Sequence, residues 1–128
     1  MKNLPIVYVD DDEDSIKLAR DIIPSLFPEY NVQLYTGRSE DELVSLVTEN
    51  KPRLILTDHN MPIGDNGSNG LRKIRSKGIN TPAILMSGVI DQARAAANGI
   101  DNIYFLEKLY TCDKLEMAMR VALSEYSN

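Results

Sequence analysis

The chain has 128 residues, 43% hydrophobic and 26% charged, which is the size and balance of one ordinary globular domain. A lone cysteine, Cys112, excludes an internal disulfide framework and a cysteine zinc site. Nineteen acids against 14 bases give a net charge of −5. The excess is local: without Asp10, Asp11, Asp12, Glu13 and Asp14 the remaining charges balance. No basic cluster marks a nucleic-acid binder, and the short apolar runs exclude a membrane span. The opening Met1-Lys2-Asn3-Leu4-Pro5 leads straight into a strand pattern, so no signal peptide is expected, and the expected location is cytoplasmic.

Ile6-Val7-Tyr8-Val9 is a continuous apolar run, expected of a strand buried on both faces. From Ser15, the residues Ile16, Ala19, Ile23 and Phe27 recur at helical spacing, and Pro24 should kink or shorten the end of that helix. Val32, Leu34 and Thr36 alternate with Gln33 and Tyr35, the mark of a half-exposed edge strand. Ser39 and Glu42 have capping-box spacing and open a helix that Lys51-Pro52 stops.

A third strand, Arg53 to Asp58, ends in an acid. Met61 to Gly70, with Pro62 and several glycines, is expected to be a loop, followed by a short helix around Leu71 to Arg75 closed by Gly78. Pro82 to Gly88 supplies a fourth strand and its exit turn. Asp91 is expected to cap an alanine-rich helix that runs to Asn98 and ends at Gly99. Ile103 to Leu106 is a fifth strand. Thr111 caps a last helix, to Tyr126, with a core stripe of Leu115, Ala118, Met119 and Ala122. Five β-α units imply a doubly wound α/β fold, a five-stranded parallel sheet with helices on both faces.

In such a sheet a ligand lies outside the carboxyl ends of the strands. Those ends carry Asp10-Asp11, Asp58 and Ser87-Gly88, with Lys108 just past the fifth. Packed carboxylates repel one another, and a hard divalent cation relieves the repulsion. A carboxylate beside such a cation is a competent nucleophile towards phosphorus, with an ammonium and a hydroxyl to neutralise the transferred oxygens. Other readings of these residues are plainer. Asp10 to Asp14 could be a solvated charge run or, on spacing, a calcium loop, although Ser15 stands where that loop needs glycine. His59 is read as a loop residue at the rim and not as a proton relay, and Cys112 as a packing residue.

The motifs Val9-Asp10-Asp11, Leu56-Thr57-Asp58-His59-Asn60-Met61-Pro62, Met86-Ser87-Gly88 and Phe105-Leu106-Glu107-Lys108 stand in order over nearly the whole chain. The sequence thereby resembles the receiver domains of two-component response regulators, especially stand-alone chemotaxis-type (CheY-like) receivers. The resemblance implies a flavodoxin-like strand order of 2-1-3-4-5, and one receiver domain over 1–128 without an effector domain. It implies Asp58 as phosphoacceptor. It makes Mg²⁺ the cofactor, with Mn²⁺ as a substitute, held by Asp11, Asp58 and the Asn60 carbonyl, and by Asp10 through water. Ser87, Lys108 and Phe105 then correspond to the phosphoryl-binding and switch residues. The implied partner is a histidine kinase or a histidine phosphotransfer protein. The implied activity is signalling rather than enzymatic turnover.

Leu109 replaces the proline that usually follows the family's lysine, often through a cis bond. A trans Lys108–Leu109 bond is therefore expected, with Lys108 approaching Asp58 less closely than is usual. The segments Pro62 to Gly67 and Gly99 to Lys108 read as longer than usual. Tyr110, Met117 and Val121 form a candidate output face. Two other readings stand beside this one: a haloacid-dehalogenase-type Mg²⁺ phosphatase, for which Asp10-x-Asp12 is an imperfect match, and a receiver-like binding module that is never phosphorylated.

Overall fold

Alternating apolar runs and amphipathic segments produce ten elements in strict β-α order: β1 (Lys2–Val9), α1 (Glu13–Leu26), β2 (Tyr30–Gly37), α2 (Glu40–Asn50), β3 (Leu54–Asp58), α3 (Gly67–Ser76), β4 (Ala83–Ser87), α4 (Ile90–Ala96), β5 (Ile103–Glu107) and α5 (Cys112–Ser127). They are those of a computed structural model, which describes residues 1–61 and 65–127. The expected extra length between Pro62 and Gly67 falls largely outside the described residues.

All strands pair in parallel, in the order β2-β1-β3-β4-β5. Every residue of β3 and β4 is buried, as the continuous apolar runs require of central strands. β2 is half-buried along most of its length, as its alternating pattern predicts for an edge. Alternate residues of each strand feed two cores. Leu4, Ile6, Tyr8, Leu54 and Leu56 pack against Ile16, Ala19 and Ile23 of α1 and Leu115, Met119 and Ala122 of α5. Val7, Val9, Ile55 and Leu85 pack against Leu43 and Val47 of α2, Leu71 and Ile74 of α3, and Ala93 of α4. Both layers therefore clamp the strand ends that carry the acids.

The helix ends follow their local chemistry. Asp12 caps α1, accepting from the Asp14 N–H, and Glu13 and Asp14 lie in the first turn, where acids suit the helix dipole. Pro24 lies in the last turn of α1, and Phe27 closes that helix as its buried C-cap. Ser39 caps α2 through the Glu42 N–H at 3.2 Å, while the Glu42 carboxylate reaches back to the Arg38 N–H at 2.6 Å. Thr111 caps α5 through the Lys114 N–H.

Two expected boundaries are corrected. α3 begins at Gly67, not near Leu71, with Asn66 as its cap through the Asn69 N–H at 2.8 Å. Gly67 and Gly70, read as loop markers, are packing glycines within the helix. A Cβ on Gly67 would stand 2.5 Å from the Asp58 carbonyl oxygen, and one on Gly70 would stand 2.6 Å from a Leu43 methyl. Asp91 does not cap α4. The cap position is Val89, which supplies no side-chain bond, Asp91 falls in the first turn, and the helix stops at Ala96.

Candidate functional site

The carboxyl end of β1 delivers Asp10 and Asp11, and that of β3 delivers Asp58. One oxygen from each lies within 4.8 Å of the others. Asp10 and Asp58 are almost wholly buried, whereas Asp11 is half-exposed. Asp10 Oδ1 accepts the Asp12 N–H at 2.9 Å, which holds one side of its carboxylate as α1 begins.

Lys108 approaches from the far edge of the sheet. Its Nζ lies 3.0 Å from Asp58 Oδ2 and 3.5 Å from Asp10 Oδ2. The Lys108–Leu109 bond is trans, as expected, since no peptide bond among the described residues is cis. The expected retreat of Lys108 from Asp58 is corrected: the ammonium is within direct ion-pair distance. The backbone makes this possible by turning at Leu109, whose φ is +65°.

Electrostatics follow from burial. Desolvation pushes the Asp58 carboxyl up to about 6, with repulsion from Asp10 and Asp11 adding to it and Lys108 pulling the other way. Desolvation likewise raises Asp10 above the usual carboxylate range, against the Asp12 N–H and Lys108. Burial alone would lower the Lys108 ammonium, but Asp58 and Asp10 outweigh it and hold the group above its ordinary value. One ammonium thus faces three carboxylates and leaves the pocket short of positive charge. Clustered hard oxygens of this kind suit a small divalent cation such as Mg²⁺.

The remaining candidates occupy the same rim. Asn60 directly follows the buried His59, and its backbone forms a bridge with Asn66. Ser87 is fully buried at the end of β4. Its Oγ accepts the Val89 N–H and donates to the Val89 carbonyl, each at 3.0 Å. Phe105, half-buried on β5, lies beneath the Arg94 guanidinium of α4 at 4.7 Å from the ring centroid. Between α1 and the loop after β5 a groove of about 400 Å³ opens beside the carboxylates, lined among others by Leu18, Ile22, Leu109, Tyr110 and Leu115.

Three side chains lie elsewhere than the sequence suggests. His59 is buried rather than at the rim, with Nδ1 3.3 Å from the Ser68 hydroxyl, and burial lowers its basicity. Cys112 is exposed rather than packed. Tyr110 does not share a surface with Met117 and Val121. Its hydroxyl points inward to Met86 Sδ at 3.8 Å, whereas Met117 and Val121 are exposed on α5.

Sequence reasoning passed over Arg38, Arg94 and Glu40. Arg38 donates to the Asp11 carbonyl and pairs with Glu13. Glu40, though buried, pairs with Lys73 at 2.5 Å and accepts the Asn66 N–H, bracing the chain that leads from Asp58 into α3. Only three-dimensional neighbours mark these residues. Tyr8 carried a visible signal, a hydroxyl within an otherwise aliphatic strand.

A protein-family model for the response regulator receiver domain matches residues 6–120. The chain belongs to this family. Among solved structures, the receiver domain of Francisella response regulator 1452 is 25% identical, with a TM-score of 0.72 over 97% of this chain and 99% of that one. The signal receiver domain of an HD domain-containing protein from Pseudomonas fluorescens Pf-5 is 22% identical, with a TM-score of 0.80 over 99% of this chain and 91% of that one. The chemotaxis response regulator CheY4 of Vibrio cholerae shares the fold at 15% identity, with a TM-score of 0.78 over 95% of this chain and all of that one. No curated protein sequence matches the chain significantly. Members of the receiver family are signalling modules phosphorylated by histidine kinases or phosphotransfer proteins, and this receiver carries the acidic cluster on which that chemistry depends.

Proposed function

We propose that this receiver takes a phosphoryl group from a phosphohistidine donor, a histidine kinase or a histidine phosphotransfer protein, onto Asp58, and alters its protein-binding surface in response. The observation that carries the reading is the convergence of Asp58, Asp10, Asp11 and Lys108 at one buried strand-end pocket. An Asp58 oxygen attacks phosphorus, the phosphorus–nitrogen bond breaks, and the imidazole leaves with the electron pair. Lys108 accompanies the negative charge from the carboxylate to the phosphoryl oxygens. Asp11, Asp58 and the Asn60 carbonyl, with Asp10 through water, would hold Mg²⁺, for which Mn²⁺ would substitute, and the ion would supply charge neutralisation for the transferred group. The apolar groove between α1 and the loop after β5 receives the donor protein, with Leu18 and Leu109 exposed on its lips.

Switching then begins at Ser87. Its hydroxyl exchanges the Val89 backbone for a phosphoryl oxygen, which frees the turn into α4. Phe105 moves into the vacated space and leaves Arg94. Met117 and Val121 on α5 are the proposed output surface. The haloacid-dehalogenase alternative gains no support, because Asp12, the second acid of that pattern, is engaged as the cap of α1 with Asp14 and Ser15. Incubation with acetyl phosphate tests the reading through intact mass. The protein should gain a phosphoryl group in Mg²⁺ and none in excess chelator; undiminished labelling in chelator would overturn the metal's role.

A further inference from the structure

A backbone carbonyl that serves a metal is only as well aimed as its peptide, because no side-chain rotamer can correct it. The Asn60 carbonyl and the Met61 N–H belong to one planar peptide, so whatever holds the N–H aims the carbonyl. The Met61 N–H donates to the Asp65 carbonyl at 3.3 Å, Asn60 pairs with Asn66 in a β-bridge, and the Gly67 N–H donates to the His59 carbonyl at 3.1 Å. The near arm of this loop is anchored on the sheet, where the His59 N–H donates to the Met86 carbonyl of β4 at 2.8 Å. The far arm is held from the start of α2. Glu40 Oε1 accepts the Asn66 N–H at 3.3 Å, and the Glu40 N–H donates to Asp65 Oδ2 at 3.2 Å. The second Glu40 oxygen, Oε2, pairs with Lys73 of α3 at 2.5 Å. Glu40 is 8% exposed, and a carboxylate so buried needs partners of this kind. An ion pair that only joined α2 to α3 would use one oxygen; the other grips the loop.

We infer that Glu40 is a positioning residue for the metal site: it holds Asp65 and Asn66, which fix the peptide that carries the Asn60 carbonyl. Its effect on the metal rests on the proposed reading of Asn60 as a ligand; its effect on the loop does not.

Two measurements test it, each comparing Glu40→Ala with Glu40→Gln. Both variants remove the same charge, but glutamine keeps an oxygen for the Asn66 N–H. The first is amide exchange at Met61 and Gly67 in metal-free protein. Glu40→Ala should speed it about fivefold, the loss of one buried hydrogen bond, and Glu40→Gln should change it by less than about twofold. Unchanged exchange in Glu40→Ala overturns the inference. The second is Mg²⁺ affinity by calorimetric titration. It should fall about fivefold in Glu40→Ala and stay within about twofold of the unmodified chain in Glu40→Gln. Equal weakening in the two would mean that the charge acts and not the grip on Asn66, and would overturn the positioning role, as would unchanged affinity in Glu40→Ala. Should Glu40→Ala fail to fold, Asp65→Ala against Asp65→Asn makes the same comparison through the bond to the Glu40 N–H, with the same results expected. If the unmodified chain binds no Mg²⁺, the reading of Asn60 as a ligand falls and takes the metal role with it, and exchange alone decides the loop.

Discussion

Asp58 combines two properties that ordinarily exclude each other: it is almost wholly buried, and the proposed phosphotransfer requires it to be ionised. Its carboxyl is pushed up to about 6, above the usual unfolded value, so in metal-free protein its contribution to stability is full at low pH and is lost as pH rises through 6. Asp58→Asn removes that dependence. In excess chelator it should therefore stabilise the protein more at pH 7.5 than at pH 4.5, by about 2 kcal/mol, measured as the difference between two denaturant titrations. An equal effect at both pH values would mean that Asp58 is not held under this electrostatic tension. The identity of these residues was legible because strand ends are where a parallel sheet presents its chemistry, and Asp10, Asp58, Ser87 and Lys108 all follow apolar runs. Their orientation was not. Nothing in the sequence turns Ser87 toward the Val89 backbone, or places Arg94 over Phe105, since both depend on how α4 leaves β4.

Among the elements, α3 shows best what periodicity conceals. Gly67 and Gly70 weaken helix propensity and read as a loop, yet each is small because another part of the chain passes against it. The Asn66 cap was the available signal, and the two glycines masked it. Gly67→Ala would push a methyl group into the Asp58 carbonyl, a backbone atom that cannot yield cheaply. It should cost about 1–3 kcal/mol and slow labelling of Asp58, whereas overpacking with no consequence for the site would leave the labelling rate intact. At the opposite end of the sheet, Arg120 of α5 ties that helix to the end of α1 and the loop that follows it. It pairs with Glu116 and Glu29 at 2.8 Å, donates to the Leu26 carbonyl, and lies 4.5 Å from the Phe27 ring centroid. Arg120→Ala should cost about 1–2 kcal/mol through the lost ring contact and carbonyl bond more than through its exposed ion pairs, and should leave labelling unchanged. Thermal denaturation at low and high salt separates the two, for an ion-pair effect would disappear at high salt.

For the whole molecule, the net charge of −5 is concentrated where the topology collects strand ends, so the acidity of the chain is a property of its site. The five-stranded order was legible only in part. Alternation marked β2 as an edge, and continuous apolar runs marked the interior strands. The order of the others came from resemblance, because local sequence does not record which parallel strand lies beside which. The architecture holds one buried carboxylate, the proposed nucleophile, between two acids and one ammonium, and that arrangement is the centre of the account. Intact mass after exposure to acetyl phosphate and Mg²⁺ tests it most directly. The unmodified chain should gain a single phosphoryl group, and Asp58→Asn, with the same shape and no nucleophile, should gain none. An equal mass increase in Asp58→Asn would contradict the assignment of Asp58 and, with it, the reading of this site.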